Sequence, residues 1–200
     1  MVKTEYYKDL TKMNTFGMKV KARCFMEYDS VADLVDIEFE ELARPVLHIG
    51  GGSNLLFTDD FKGTVLHSKI NFIEIIDDEM VLERRISAAS SASAKCSENI
   101  EAAATPASIV EGGGMPLGAV ASATGGENDA PTETSVLVSV GSGVIFDDFC
   151  EWAAKEGLWG VENLSYIPGE VGASAVQNIG AYGVEVKDVI RKVYCYDTVE

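Results

Sequence analysis

The sequence predicts a fold that mixes α-helices with β-strands, in the α+β class. Apolar residues alternate with polar ones over Val20–Phe25 and again over Val189–Tyr196, which is the pattern of half-buried strands. They recur at helical spacing over Val31–Leu42 and over Ile145–Ala153. Two glycine-rich stretches, described below, interrupt these elements and are the candidates for a binding site.

The predicted elements can be placed in order along the chain. They are a strand at Val20–Phe25, a helix that Ser30 caps and Pro45 ends, strands at Val46–Ile49, Thr64–His67, Ile70–Ile76, Met80–Leu82 and Val136–Gly141, a helix from Ile145 to Gly157, and a strand at Val189–Tyr196. The short apolar run Val46–Ile49 is typical of a buried strand. His48 and His67 lie within predicted strands, and we interpret both as packed or surface strand residues rather than as ligands or bases.

Residues 86–135 differ in composition from the rest of the chain. Ala, Ser, Gly, Thr and Glu dominate them, as in Ala88–Ala94 and Gly112–Gly114, and bulky apolar residues are few. Such a segment buries too little apolar surface to offset its conformational entropy. We therefore predict a disordered, low-complexity insertion within a hairpin.

Composition and charge exclude several classes of function. The chain has 200 residues, of which 46% are hydrophobic, and a formal charge of −16. This charge argues against a nucleic-acid or anionic-membrane partner. The start of the chain has no apolar core of the signal-peptide type and no run is long enough to span a bilayer, so we expect a cytoplasmic protein. The four cysteines show no C-x-x-C spacing, and we predict no metal site.

The first glycine-rich stretch is Gly50-Gly51-Gly52-Ser53-Asn54-Leu55-Leu56, directly after a predicted strand. Successive glycines can turn several backbone N–H groups inward and form a nest for phosphate oxygens. Leu55 stands where a dinucleotide fingerprint of the Rossmann type needs its third glycine, and no Walker lysine follows. By itself the stretch is a weak signal, equally compatible with a turn.

The second stretch runs from Pro168 to Gly183 and contains four further glycines, with small residues and side-chain amides in most of the gaps. A flat or phosphorylated ligand can lie against such a backbone. Ala173–Val176 could start a helix whose free N–H groups would face an anion. Gln177 and Asn178 carry both donors and acceptors, as recognition of a heteroaromatic edge requires. A tight connection without a ligand is the alternative.

Together these segments resemble a known family. Asn14-Thr15-Phe16-Gly17, the stretch Val46–Leu56, Gly160-Val161-Glu162-Asn163-Leu164 and the stretch Pro168–Gly183 occur here in that order. The combination is similar to the UDP-N-acetylenolpyruvoylglucosamine reductases, flavoenzymes of peptidoglycan precursor synthesis. The likeness covers almost all of the chain outside residues 86–135, and its last motif is the most specific.

The resemblance implies an FAD-binding fold of the vanillyl-alcohol-oxidase (PCMH) type, built from two α+β subdomains. We place the first at residues 1–69 and the second, truncated, at 70–200, and we expect the C-terminal substrate-binding domain to be absent. FAD is expected to be bound noncovalently, because no histidine follows the glycines of the first loop. The resemblance implies the cofactor-binding residues Gly50, Gly51, Gly52, Ser53, Asn54, Leu55, Ile167, Pro168, Gly169, Ala173, Ser174, Val176, Gln177, Asn178, Ile179 and Gly180, with Tyr182 on the substrate.

The family reaction implies two partners, NADPH and UDP-N-acetylglucosamine enolpyruvate, whose reduction gives UDP-N-acetylmuramate. The family's catalytic serine, arginine and glutamate belong to motifs that find no match in these 200 residues, so no catalytic residue is assigned. We expect the chain alone to bind flavin without completing the cycle. Two alternatives stay open: a noncatalytic flavin-binding module, and another FAD oxidoreductase of the same fold.

Overall fold

The computed structural model describes residues 1–76, 115–122 and 136–198. Within these ranges the strands form two sheets and a short hairpin, and helices pack beside them. The mixture of helices and strands confirms the predicted α+β character. The strands are β1 (Lys3–Asp9), β2 (Lys21–Tyr28), β3 (Val46–Ile49), β4 (Phe61–Ser68), β5 (Ile73–Ile76), β6 (Met115–Ser122), β7 (Leu137–Gly141), β8 (Gly180–Ala181), β9 (Val184–Glu185) and β10 (Ile190–Tyr196). The α-helices are α1 (Val31–Val35), α2 (Phe146–Lys155) and α3 (Val171–Gln177).

The first sheet has the order β1-β2-β4-β3, in which β1 and β2 are antiparallel and β3 and β2 both run parallel to β4. The central strand β4 is almost wholly buried from Gly63 to its end. In β3, Ile49 is buried and the three residues before it are partly buried. The prediction that Val46–Ile49 is a buried strand is therefore confirmed for Ile49 and wrong for the other three positions, because a strand at the edge of a sheet is covered on fewer sides.

β1 was not predicted, because Lys3–Asp9 shows no apolar alternation. Its side chains are mostly exposed, and Tyr6 and Tyr7 are more than two-thirds accessible to solvent. The strand forms through backbone pairing with β2, with Lys3 opposite Glu27 and Asp9 opposite Lys21. A polar edge strand of this kind leaves little signal in a sequence.

Helix α1 begins as predicted, since the Ser30 hydroxyl accepts a hydrogen bond from the Asp33 backbone N–H at 3.1 Å. It ends at Val35, however, and the predicted extension to Leu42 is wrong. Asp36 and Glu40 would lie one helical turn apart, and like charges at that spacing oppose a helix. Leu42 still packs against the cluster around Tyr28, from an irregular segment.

The second sheet, in the part that the structure describes, has the order β10-β6-β7-β5 with antiparallel pairs throughout. Its strand β6 lies inside the predicted insertion, between two partners. For Met115–Ser122 the prediction of disorder is therefore wrong: a central strand is held by backbone hydrogen bonds on both sides, which composition does not reveal. Residues 77–114 and 123–135, including the strand predicted at 80–82, lie outside the described residues.

The segment 69–72 leads from the first sheet to the second and is tied to both. The Lys69 N–H donates to the Tyr28 carbonyl at 2.7 Å, and the Gly143 N–H donates to the Ile70 carbonyl at 2.9 Å. Beyond it, α2 and α3 cover a second core that includes Phe146 and Phe149. The two sheets divide close to the predicted subdomain boundary, and that boundary itself stays a prediction. None of the helices in the described residues is long and apolar enough to cross a membrane.

Candidate functional site

The first glycine loop leaves β3 at Ile49 and turns sharply at Gly52. The φ angle of Gly52 is +70°, in the region that favours glycine. A Cβ built on Gly52 would lie 1.9 Å from the Met13 carbonyl oxygen, so the loop passes directly under the segment that precedes β2. The loop therefore requires glycine at this position for both conformation and space.

The motif Asn14-Thr15-Phe16-Gly17 closes over that loop. The buried Asn14 amide donates to the carbonyls of Leu10 (2.8 Å) and Met18 (3.1 Å), which fixes the turn. The Thr15 hydroxyl then donates to the Ser53 carbonyl at 3.2 Å. No residue of this motif is among the predicted site residues, although its place in the resemblance pointed to it.

The second glycine loop leads into α3, which begins at Val171, two residues before the predicted start. The N–H groups of Val171 and Gly172 donate to the carbonyls of Val144 (2.9 Å) and Ser142 (3.0 Å). The expectation that free N–H groups of this helix face an anion is therefore wrong for these two positions. The chain at 142–144 comes this close because Gly172 has no side chain, since a Cβ there would lie 2.7 Å from the Ser142 Cβ.

The structure brings the two glycine loops into direct contact. The Ser53 hydroxyl donates to the Pro168 carbonyl at 2.9 Å, and the Asn54 amide nitrogen donates to the Gln177 amide oxygen at 3.0 Å. These partners are 115 and 123 residues apart in the chain. Two segments that each gave only a local signal thus form one surface.

The predicted site residues differ in exposure. Eight of them are exposed and border this surface: Gly51, Asn54, Pro168, Val176, Gln177, Asn178, Gly180 and Tyr182. Seven are partly buried: Gly50, Ser53, Leu55, Ile167, Gly169, Ala173 and Ile179. Two, Gly52 and Ser174, are buried. The Ser174 hydroxyl donates to the Val171 carbonyl at 2.7 Å, so its hydrogen-bonding capacity is used within the helix.

Asn178 ends helix α3 in a left-handed conformation with φ of +45°. Its amide nitrogen donates to the Glu185 carboxylate at 2.9 Å, and its amide oxygen accepts from the Lys187 N–H at 3.2 Å. These bonds hold the segment that follows the β8–β9 hairpin against the end of the helix. In this arrangement Asn178 supports the loop, whereas the neighbouring Gln177 faces the first loop.

Large apolar side chains are exposed in and beside both loops. Phe16, Leu56 and Tyr166 are each more than 60% accessible, as are Val176 and Tyr182 within the second loop. Other large apolar side chains, such as Tyr6 and Ile75, are exposed away from the loops, but those beside the loops could contact a partially apolar ligand bound there. In the described residues no group of three or more potential metal-ligating side chains is placed to hold a metal ion.

Two histidines lie beneath the site, and their pKa values are shifted in opposite directions. Burial and the charge of His67 lower the pKa of His48 to about 4, and its Nε2 is 2.8 Å from the Tyr28 hydroxyl. Burial would lower the pKa of His67 as well, but hydrogen bonds and the charge of Glu170 outweigh it and raise that pKa. Both side chains are held within strands, as we interpreted them, and Glu170 was missed although it is the one charged residue between Pro168 and Gly183.

A family model described as "FAD binding domain" matches residues 127–198, which include the second glycine loop. Curated relatives match nearly the whole chain. A UDP-N-acetylenolpyruvoylglucosamine reductase from Bacteroides fragilis is 41% identical over 185 residues, which are 92% of this chain and 40% of the relative. One from Neisseria meningitidis serogroup A is 36% identical over 194 residues, 96% of this chain and 41% of the relative. The chain thus spans about 40% of the length of these relatives.

Among solved structures, the chain is similar to UDP-N-acetylenolpyruvylglucosamine reductase from Thermus caldophilus. The TM-score is 0.52 at 17% identity, over 98% of this chain and 52% of the other. At this identity the likeness supports the fold alone, and it agrees with the predicted FAD-binding architecture.

Proposed function

We propose that this chain, a homologue of the UDP-N-acetylenolpyruvoylglucosamine reductases, is the portion of such an enzyme that holds FAD. The observation that carries the proposal is the direct contact between Gly50–Asn54 and Pro168–Gln177. A dinucleotide that carries both a pyrophosphate and a flat ring needs two different surfaces side by side. The paired loops offer both.

The first loop fits a pyrophosphate. Neither glycine loop contains Lys or Arg, so backbone N–H groups must hold the negative charge. Gly51 is exposed, and a Cβ on it would meet only the Gly169 Cα, at 3.8 Å, so its backbone is open to an approaching phosphate. Anion binding by backbone is also the solution expected of a chain with a charge of −16.

The second loop fits the flat ring. The small cavity beside it, lined by residues that include Pro168, Gly169, Ala173, Gln177 and Ile179, is far too small for the ring, which would lie on the exposed surface of the loop. We assign the ring to this side, with Gln177 as a hydrogen-bonding partner and exposed apolar side chains at its edge. When bound, FAD supplies the hydride carrier for reduction of the substrate double bond.

The activity of the whole enzyme is the second part of the proposal. We infer that NADPH and UDP-N-acetylglucosamine enolpyruvate are the partners of the full-length protein and that it acts in the cytoplasm. Reduction of the enolpyruvyl double bond needs a positioned acid, which contributes about 10²–10⁴-fold in rate. No residue of this chain is assigned that role. We therefore expect the 200-residue chain to hold FAD without forming product, and Tyr182 to lie on the substrate side.

A fluorescence titration of the purified chain with FAD tests the first part. We expect saturable quenching at one site per chain, and release of all flavin on denaturation, as noncovalent binding requires. Absence of binding would refute the proposal, and flavin retained after denaturation would refute noncovalent attachment. Anaerobic incubation with NADPH and the UDP-sugar then distinguishes a binding portion from an active enzyme, because sustained product formation by this chain alone would contradict the second part.

A further inference from the structure

His67 and Glu170 form a buried hydrogen-bonded pair that joins β4 to the start of α3, 103 residues apart in the chain. In the described residues Glu170 is the only carboxylate less than one-tenth exposed, at 8%, and His67 is 3% exposed. Ionisable groups are rarely buried unless they are paired. Neither residue is among those predicted to touch a ligand.

The position of Glu170 connects this pair to the first loop. Its Oε1 is 2.9 Å from His67 Nε2, while its Oε2 lies 3.4 Å from the point where a Cβ on Gly50 would sit. Gly50 also lies against α3, since the same Cβ would be 3.0 Å from the Ala173 Cβ. Glu170 precedes α3 without capping it through its side chain, which is directed to His67 instead. The pair therefore adjoins the point where the first loop rests on the second.

A second buried side-chain contact between β4 and the region of α3 lies next to the His67–Glu170 pair. The Ser68 and Ser142 hydroxyls are 2.6 Å apart and buried, and they join the end of β4 to the segment that receives the first N–H groups of α3. His67 and Ser68 are consecutive, so the end of β4 is the point of the first sheet from which the second glycine loop is held.

We propose that His67 is a positioning residue for the FAD site: by holding the Glu170 carboxylate, it fixes the second glycine loop against Gly50 and sets the spacing between the two loops. The inference rests on the proposed function only for the identity of the ligand. The spacing of the loops can be measured without any ligand.

The positioning role proposed for His67 depends on pH, because the imidazole of His67 lies between two carboxylates. A protonated His67 donates through Nε2 to Glu170 and through Nδ1 to Glu27, at 2.9 and 3.2 Å. The other ionisable groups that face the pair are Tyr28, His48 and Lys69. Because the pKa of His67 is raised in the folded protein, the ion pair is complete below the ordinary histidine pKa and is lost as the pH rises through the raised value. A neutral imidazole can donate to only one of the two carboxylates.

Amide hydrogen exchange of the ligand-free chain tests the positioning directly. In His67→Gln we expect exchange of the Phe146, Val171 and Gly172 amides, whose hydrogen bonds hold the second loop, to become at least about tenfold faster, because the local opening of this loop becomes easier. Glu27→Gln is the matched control: it removes the other carboxylate that His67 contacts, which belongs to β2, and we expect less than a twofold change at the same amides. Unchanged exchange in a folded His67→Gln would overturn the inference, whether or not the chain binds FAD.

FAD titrations across pH provide the second measurement. For the unsubstituted chain we expect the Kd for FAD to rise several-fold as the pH increases through the raised pKa of His67. For His67→Gln we expect weaker FAD binding at low pH and a Kd that does not change over that pH range. Glu170→Gln, which keeps the shape and an acceptor, should show the same flat profile, and the double variant should be no weaker than either single one. Additive losses of binding free energy in the double variant would contradict a shared role of His67 and Glu170. Failure of the unsubstituted chain to bind FAD would refute the proposed function, and the exchange experiment would then decide whether His67 positions the loop. If His67→Gln does not fold, the profile of Glu170→Gln decides.

Discussion

The side chains of Asn54 and Gln177 form a hydrogen bond of 3.0 Å that joins the two glycine loops at the surface. Each residue follows a glycine-rich turn that is anchored independently, the first under Met13 and the second on Ser142. The bond therefore forms only when the two loops, each fixed by its own contacts, lie in this relative position.

Removing the amide pair should weaken FAD binding more than folding. Both residues are exposed, so Asn54→Ala and Gln177→Ala should each change the free energy of unfolding by less than about 0.5 kcal/mol. Each should raise the Kd for FAD by about 3- to 10-fold, the effect of losing about one hydrogen bond. Thermal unfolding and fluorescence titration of the two single variants and the double variant measure both quantities. A double variant that multiplies the two single effects would show that the residues act separately.

Gly52 should be intolerant of any side chain, whereas Gly51 should not be. A Cβ on Gly52 would overlap the Met13 carbonyl, so Gly52→Ala should lower the midpoint of thermal unfolding clearly and weaken FAD binding more than about tenfold, or about 1.4 kcal/mol. Gly51→Ala is the matched control for folding, because its Cβ meets only an ordinary contact at 3.8 Å. Equal thermal midpoints for the two variants would contradict the close passage under Met13.

His48 should make the fold sensitive to acid. Its pKa is about 4 in the folded protein because of burial and the charge of His67, well below the ordinary value of about 6.5. The unfolded chain therefore takes up a proton first, and the stabilisation present above pH 6.5 is lost as the pH falls from there to about 4. His48→Gln keeps an acceptor for the Tyr28 hydroxyl but cannot titrate. Denaturant unfolding at several pH values should show a shallower loss in the variant, and parallel curves would argue against a neutral His48.

The low-complexity segment should be only partly dispensable. Deleting 86–135 removes β6 from between β7 and β10 and should abolish cooperative folding of the second sheet. Replacing only 123–135 by a short Asn-Gly turn keeps β6 and the pairing of Ser122 with Leu137, and it should shift the thermal midpoint by a few degrees at most. Circular dichroism melts of the two deletions distinguish these outcomes. Loss of folding in the shorter deletion would show that 123–135 contributes packing.

Much of the fold could be predicted because burial imposes a local pattern. The alternation at Val20–Phe25 and Val189–Tyr196 and the helical spacing at Ile145–Ala153 each correspond to an element of the structure. The N-cap at Ser30 is likewise local, since its partner is three residues away. Where the pattern was weak, prediction failed: β1 is a polar edge strand, and β6 has a composition typical of disorder.

The candidate site divides in the same way. By itself the sequence determined that there are two glycine-rich loops, that neither carries a basic residue, and that together with Asn14–Gly17 they resemble one family. Those properties belong to short segments and can be recognised without knowledge of the fold. Which residues meet across the loops was decided by the tertiary structure alone: Ser53 with Pro168, Asn54 with Gln177, and His67 with Glu170. The physical reason is that each of these bonds joins segments more than a hundred residues apart and forms only after the two sheets have packed, although only the His67–Glu170 pair is buried.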